Sequence, residues 1–535
     1  MSSPDSFNLI DEPWIRALMQ GGEVREFSLR EVLSRAPEIR RLAGELPTQD
    51  LSILRVLEAS ILGASRPNVP RNPNETLDLW EAWWRHGAFP MDLLNHYLDL
   101  MHSRFDLLHE TAPFYQVAKL TTSSGKHSGL TKLIADFPDG HPFFTTRGGF
   151  ETSSLSLPEA ARWLIHCQAF DPSGIKSGAL GDPRVKGGKG YPFGYPAWAG
   201  NLGLVIAEGA NLFETLMLNL PWLLSGPDDL PAWERPALGP GVEDPEHHPQ
   251  GPADLFTWPS RRLRLFLDGD RVVDVQISNG DKLTPQDRFL HEPMSAWRHS
   301  KNQSKGSQKV YMPVTHQPSR RVWQGLDPLL SQATPEGATK PAFVVEWLAS
   351  LRDNEILDDA FLVDLRIVGF EYGTQNSVID GAVDDRLTAP VAALTSPILV
   401  QTAIDSARRA AQGVIALANL AGNLDRAAGG DGNAREAAFE RGYSLLDAPF
   451  RSWVRSLLDE DQTANYETLW DKAAFHTLLR AGNNLLTDAS RAAIIGRDVT
   501  QQNGETIWLD ASRAQIWFRN GLNKALPYKD DEVQP

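Results

Sequence analysis

The chain has 535 residues and a formal net charge of −16, with 41% hydrophobic and 22% charged residues. This is the composition of an ordinary soluble protein that is long enough for two or more domains. The negative charge excludes non-specific coating of nucleic acid, and the single cysteine, Cys167, excludes an internal disulfide and a multi-cysteine zinc site.

The N-terminal segment MSSPDSFNLIDEPW lacks the basic start and the apolar run of a secretory signal. The most apolar stretch, residues 202–224, is interrupted by Glu208, Glu214 and Asn219, so it predicts no membrane span. We therefore expect a cytoplasmic protein without membrane contact.

Residues 1–390 mix short strand-like and helical patterns with many glycines and prolines, without a regular alternation of strands and helices. They predict a large, irregular α+β domain. Trp80, Trp83 and Trp84 stand at helical spacing within it, which is more typical of a core than of a binding surface.

Residues 171–203 contain nine glycines together with Lys176, Arg184, Lys186 and Lys189. Glycine lets backbone N–H groups approach a ligand closely, although a purely structural loop would have the same composition. Further along, Lys282 stands on a turn after the alternating strand pattern 273–277, where a lysine is normally just solvated.

A basic window without any acidic residue follows. It contains Arg298, Lys301, Lys305, Lys309, Arg320 and Arg321. In an acidic chain, such a window indicates a local dock for phosphates; the alternative is a solvated loop.

Residues 373–377 place small hydroxyls and amides after the apolar, strand-like residues 361–370, which also fits a plain hairpin turn. Beyond residue 390 the apolar residues step by four and three along four long segments, the last of them 507–526. They predict four helices, and hence an all-α four-helix bundle over residues 391–535. The predicted fold class is thus α+β with a C-terminal bundle.

The candidate catalytic residues do not have the spacing that known catalytic motifs require. His291-Glu292 lacks the second histidine of a zinc protease, and residues 181–189 miss the phosphate-loop pattern. We therefore predict a protein that is not an enzyme and has no cofactor and no metal. Two alternatives remain: a metal-dependent nuclease that uses acids such as Asp380, Asp384 and Asp385, and an RNA-binding scaffold with no role on duplex DNA.

Taken together, these segments resemble the CasA family, the large subunits of the type I-E CRISPR surveillance complex known as Cascade. The order of the matching segments along nearly the whole chain carries the resemblance: 7–15 (FNLIDEPWI), 28–33 (SLREVL), 42–50 (LAGELPTQD), 112–117 (APFYQV), 171–203, 209–216 (GANLFETL) and 372–379.

The resemblance implies that the chain recognises the protospacer-adjacent motif (PAM) of invading double-stranded DNA from the minor groove, while a guide RNA reads the rest of the target. It implies a glycine loop over residues 172–178, a lysine finger and a polar wedge that opens the duplex to start an R-loop. The matching residues are Ser173, Gly174 and Lys176 in the loop, Lys282 as the finger, and Gln375, Asn376 and Ser377 in the wedge, whose tip is either Gln375 or Asn376.

The resemblance also implies partners. Residues 143–154 correspond to a loop that contacts the guide RNA (crRNA) and a backbone subunit, with Phe144 and Arg147 as contacts. The basic window would hold DNA phosphates. The bundle would meet the small subunits, and the chain would help to recruit a helicase-nuclease.

Overall fold

The computed structural model describes residues 4–137, 153–242, 248–306, 308–330, 338–500 and 504–527. Phe144 and Arg147 lie outside these ranges, so their contacts with guide RNA and a backbone subunit stay predictions. The chain divides into two compact units. Unit 1 comprises Met1–Ser319, Gln332–Leu348 and Asp364–Arg386, and unit 2 comprises Arg320–Ser331, Ala349–Val363 and Leu387–Pro535.

The strands are short and lie mostly in the first three quarters of the chain. Within the described residues they are β1 (Ile15–Met19), β2 (Val24–Phe27), β3 (Ile39–Leu42), β4 (Ser128–Gly129), β5 (Leu204–Glu208), β6 (Arg261–Asp268), β7 (Arg271–Asn279), β8 (Trp297–His299), β9 (Tyr311–Pro313), β10 (Thr339–Lys340), β11 (Leu362–Tyr372), β12 (Ile379–Pro390), β13 (Arg497–Thr500) and β14 (Thr506–Leu509). They form small sheets with the orders β2-β1-β3, β4-β7-β6, β10-β8-β9, β12-β11-β5 and β13-β14.

The helices lengthen toward the C-terminus. Within the described residues they are α1 (Leu29–Ser34), α2 (Pro47–Ser65), α3 (Pro73–His86), α4 (Met91–Met101), α5 (Leu157–Phe170), α6 (Leu212–Asn219), α7 (Pro252–Phe256), α8 (Leu326–Leu330), α9 (Phe343–Asp353), α10 (Val391–Thr395), α11 (Pro397–Ala428), α12 (Ala434–Val454), α13 (Thr463–Thr487), α14 (Arg491–Ile495) and α15 (Ala511–Ala525). None of them is both long and apolar enough to cross a membrane.

Helix α2 is the centre of the unit 1 core. It is buried along nearly its whole length and packs against α4, α5, α6 and α7, as expected of a helix that is surrounded on all sides. Its Arg55 is buried and pairs with Glu292 at 2.8 Å, which satisfies the charge in the interior. The tryptophan stripe is also core, as predicted, because Trp80 and Trp83 are buried.

Helix α11 is the centre of unit 2 and packs against α12, α13 and α15. The Ser396 side chain caps its start by accepting a hydrogen bond from the Leu399 N–H, and Gly429, at φ +103°, ends it. The predicted fold class is confirmed, because a mixed region with small sheets is followed by four long C-terminal helices. The C-terminal region is not all-α as predicted, since it contains the β13-β14 sheet.

The last helix begins later than the sequence predicted. Residues 506–509 form β14, which pairs with β13, and α15 begins at Ala511. The boundary is set by Asp510, whose carboxylate accepts a hydrogen bond from the Arg513 N–H at 2.8 Å. The bundle therefore carries a small hairpin that periodicity alone did not reveal.

Candidate nucleic-acid interface

The glycine loop, Pro172–Gly178, begins where helix α5 ends. Ser173 is buried, whereas Gly174 has φ +133° and no atom within 4 Å of the position that a Cβ would occupy. A residue with a side chain is strained at this φ, so the sequence favours glycine here. The loop therefore presents bare backbone toward open space.

A buried carboxylate holds the base of this loop. Asp171 accepts a hydrogen bond from Arg261 Nε at 2.5 Å, and its Oδ2 lies 2.6 Å from Lys176 Nζ. Burial alone would raise the pKa of Asp171, but the charges of Lys176 and Arg261 outweigh burial and the pKa is lowered. Asp171, Lys176 and Arg261 together are called the Asp171 clamp below.

Arg261, on strand β6, is fully buried and fixes the backbone as well as the charge. Its Nη2 donates to the carbonyl oxygens of Asp171, Pro172 and Tyr195 at 3.1–3.2 Å. Burial works to lower the pKa of Arg261, but Asp171 raises it above its ordinary value, so the guanidinium stays charged. Arg261 thus fixes the base of the glycine loop.

Lys176 was predicted to contact DNA, and the structure places its ammonium in the clamp. The side chain is only 14% exposed because it lies against Asp171. A contact with a DNA phosphate would require it to leave this carboxylate. Its role as a DNA contact stays a prediction.

The wedge, Gln375–Ser377, is the turn of the hairpin between β11 and β12. All three residues are exposed. The Gly373 N–H donates to Val378 O at 2.9 Å, and Gln375 and Asn376 have φ of +57° and +54°. Non-glycine residues adopt this conformation at a cost, so the turn holds both amide side chains outward at the expense of some strain.

The glycine loop and the wedge are bonded to each other. The Ser173 N–H donates to Asn376 O at 2.8 Å, and the Ser173 hydroxyl donates to Gln375 O. These residues lie about two hundred positions apart in the chain. The two segments therefore form one surface, on which the backbone of the wedge is fixed while its amide side chains are exposed.

Lys282 lies beside the clamp. It is exposed, and its Nζ lies 5.7 Å from the centroid of the Tyr195 ring. The Arg261 guanidinium lies 5.2 Å from the same ring. The preceding Asp281 pairs with the buried Arg262 at 2.7 Å, which anchors the turn from which Lys282 projects. The predicted finger is thus linked to the loop through Tyr195 and Arg261, and the loop is linked to the wedge through Ser173.

The basic window is divided between the two units. Arg298 lies on β8, and Lys301, Lys305 and Lys309 lie on the connection to β9; all four are exposed. We call this segment, Trp297–Pro313, the basic hairpin. Arg320 and Arg321 are also exposed but belong to unit 2, so the structure does not assign the six cations to one surface.

The basic hairpin differs from the clamp in its charge balance. Among the residues that the structure describes, Arg298, Lys301 and Lys305 have no ion-pair partner. The loop is shaped by Ser304 instead, whose hydroxyl accepts from the Val310 N–H at 3.0 Å and donates to Ser300 O at 2.7 Å. These cations are therefore available to an external anion.

One of the carboxylates considered for a nuclease, Asp384, supports the wedge hairpin. Asp384 accepts two hydrogen bonds from Arg366, at 2.6 and 3.0 Å, and Arg366 also donates to Glu208 at 2.8 Å. These bonds tie β12, β11 and β5 together. In the parts of the chain that the structure describes, no group of three or more His, Cys, Asp or Glu side chains could hold a metal ion.

The sequence had not indicated Asp171, Tyr195 or Arg261 as site residues. One signal was present: Arg261 and Arg262 begin an alternating apolar strand pattern, RRLRLFLD, at positions that the structure buries. A buried arginine requires a partner, so these residues could have been recognised as anchors.

Comparison with known proteins gives consistent relatives. The family model described as CRISPR-associated protein Cse1 (CRISPR_cse1) matches residues 8–481. The chain is 32% identical over 388 residues to the CRISPR-associated protein CasA/Cse1 of Thermus thermophilus, covering 71% of this chain and 70% of that protein. The crystal structure of Thermobifida fusca Cse1 is 39% identical, with a TM-score of 0.88 over 98% of both chains. A chain of a solved CRISPR RNA-guided surveillance complex has the same fold, at 19% identity and a TM-score of 0.62, over 98% of this chain and 100% of that one.

Proposed function

The chain belongs to the CRISPR-associated Cse1 (CasA) family, and from this premise we propose that it is the non-catalytic large subunit of a type I-E CRISPR surveillance complex, Cascade, in the cytoplasm. In this role it recognises the PAM of double-stranded DNA from the minor groove and opens the duplex beside it. The bond between the glycine loop and the wedge is the observation that carries the proposal.

The surface suits a reader of the minor groove. The groove presents mainly acceptors at A·T pairs and an additional amino donor at G·C pairs. Lys282 supplies donors to the acceptors, and the bare backbone at Gly174 fits a narrow groove. In this role the exposed amides of Gln375 and Asn376 enter the base stack, which costs a few kcal/mol of unstacking.

The partners follow from the same proposal. A guide RNA, with backbone and small subunits, supplies sequence recognition by base pairing, and a helicase-nuclease then degrades the target. The likeness to a chain of an RNA-guided surveillance complex supports such an assembly. The cations of the basic hairpin hold the DNA through its phosphates.

The test uses the complex reconstituted with Gln375→Gly/Asn376→Gly. Glycine suits the positive φ at both positions, so the variant removes the side chains without adding backbone strain. We expect PAM-dependent strand opening to fall by at least about 10-fold, since the unstacking step loses its wedge, while assembly is unchanged. Lys282→Ala should weaken discrimination between PAM and non-PAM duplexes.

Glu355→Gly is the matched control, because Glu355 is another exposed residue at positive φ. It should open targets like the unaltered chain. Normal opening by the double variant would overturn the assignment of the wedge.

A further inference from the structure

A pocket of about 230 Å³ opens between the glycine loop and the wedge. The segment Thr131–Ala135 and residues 171–176 line it. Ser377 and Ile379, together with His166 and Cys167 of helix α5, complete the lining. Ser377 thus belongs to both the wedge and the pocket. The volume is far more than a single water molecule needs.

The walls are apolar with a few hydroxyls. Leu133, Ile134 and Ile379 are buried, and Ile175 is 60% exposed. Polar groups are supplied by Thr131, Ser173 and Ser377. This combination suits a flat ligand with polar edges, because apolar contacts can cover its faces while hydroxyls bond its rim.

The buried groups of the pocket have little net charge to offer. The Lys176 ammonium is balanced by Asp171 at 2.6 Å, and the other lysine of the lining, Lys132, is exposed. Burial lowers the pKa of His166 to about 3 and raises that of the Cys167 thiol, so both are neutral at pH 7. A phosphate would find no unpaired cation among the buried groups, whereas a neutral base would find no unfavourable charge.

We propose that this pocket accepts one unstacked nucleobase, displaced from the duplex at the position next to the wedge. The inference rests on the proposed function, because the wedge must first part the strands. A base that leaves the stack exposes its faces to water, and a pocket beside it recovers part of that unstacking cost. The pocket would thereby hold the first opened base pair apart until guide pairing proceeds.

The experiment labels the first position beyond the PAM with 2-aminopurine, on either strand in separate duplexes. The label brightens when it is unstacked, and acrylamide quenches it when it is open to water. In the complex with the unaltered chain, we expect one of the two labelled strands to be bright and shielded from acrylamide. The labelled strand that is shielded identifies the source of the base.

Ala135→Trp fills the pocket without altering the loop, finger or wedge. We expect the label to become accessible to acrylamide and strand opening to slow by about 10-fold, as the recovered unstacking energy is lost. Thr131→Phe fills the pocket from another position and should behave alike if Ala135→Trp assembles poorly. Ala210→Trp adds the same side chain at an exposed site outside the pocket and should match the unaltered chain.

Equal quenching in Ala135→Trp and Ala210→Trp would overturn the proposal that the pocket binds a base. Labels that acrylamide quenches freely on both strands of an opened target would overturn it as well. Both results leave PAM-dependent binding intact, so they are distinct from a failure of the proposed function. If the complex showed no preference for PAM duplexes, both the proposed function and the proposed role of the pocket would be contradicted.

Discussion

The Asp171 clamp and the basic hairpin use positive charge in opposite ways. In the clamp, Arg261 and Lys176 share one buried carboxylate, so their charges hold the shape of a loop. In the basic hairpin, Arg298, Lys301 and Lys305 are exposed and have no acidic partner within the described ranges. An acidic chain can therefore bind a polyanion if shape recognition and phosphate contact are assigned to different segments. Four predictions test this division.

The largest effect is expected from Arg261→Leu. The change leaves Asp171 buried with one cation and removes the donor to four backbone carbonyls, so we expect a loss of about 3–5 kcal/mol in the free energy of unfolding. Urea denaturation followed by tryptophan fluorescence measures it. Arg264→Leu is the control on the same strand, since Arg264 donates only to the Leu120 carbonyl and lies over Phe266. Equal losses for both variants would contradict the special role of the clamp.

A second prediction concerns pH, because buried charge responds to pH in a way that exposed charge does not. Burial raises the pKa of Asp50 from its ordinary 3.8 to about 6, although Arg366 lies 3.9 Å away. The stability that this carboxyl contributes is fully present below about pH 4 and is lost as the pH rises through about 6.

Asp50→Asn removes this titration. The unfolding free energy of the variant, relative to the unaltered chain, should rise by about 2–3 kcal/mol between pH 4 and pH 7. Urea denaturation at several pH values checks this. A constant difference across the range would show that Asp50 does not titrate as stated.

The third prediction is the converse test, on the basic hairpin. The triple variant Arg298→Gln/Lys301→Gln/Lys305→Gln should bind target duplex about 10- to 100-fold more weakly, and the slope of log affinity against log salt should shrink by about 2–3. Fluorescence anisotropy at several salt concentrations measures both. The wedge variant Gln375→Gly/Asn376→Gly should keep the salt slope of the unaltered chain. An equal decrease of the slope in both variants would contradict the assignment of phosphate contact to the basic hairpin.

The smallest effect is expected from Ser173→Ala. It removes the hydroxyl bond to Gln375 O but keeps the backbone bond to Asn376 O, so we expect a cost of about 1 kcal/mol, or about 5-fold in strand opening. Stopped-flow measurement of target opening checks it. Ser177→Ala, at an exposed serine of the same loop, should have no effect. A similar loss in that variant would contradict a specific role of the Ser173 hydroxyl in linking the loop to the wedge.

The periodicity of apolar residues predicted the features that depend on residues close together in the chain. The stripe of Trp80 and Trp83 and the four long helices are set by residues three and four positions apart. The start of α15 was missed because a four-residue strand, Thr506–Leu509, continued the apolar pattern until the Asp510 cap.

The site was only partly predictable for the same reason. The glycine loop, the turn with Lys282 and the wedge could each be recognised from the residue types in a short segment of the sequence. The bonds that unite them join residues 90 positions apart, Asp171 and Arg261, or about two hundred apart, Ser173 and Asn376. No local pattern reports such pairs, and none could show that the Lys176 charge is held by Asp171.

The left-handed turn at Gln375 and Asn376 has a practical consequence for engineering. Glycine at Gln375 would relieve the backbone and should raise the melting temperature of the isolated chain, since the relief of about 1–2 kcal/mol exceeds the cost of about 0.4–1 kcal/mol that glycine carries through the unfolded chain. Glycine at Asn376 gains less, because asparagine adopts the left-handed region more readily. A screen for thermal robustness would therefore enrich variants that have lost the side chains needed on DNA. Robustness and performance are opposed at this turn, and the two would have to be selected together.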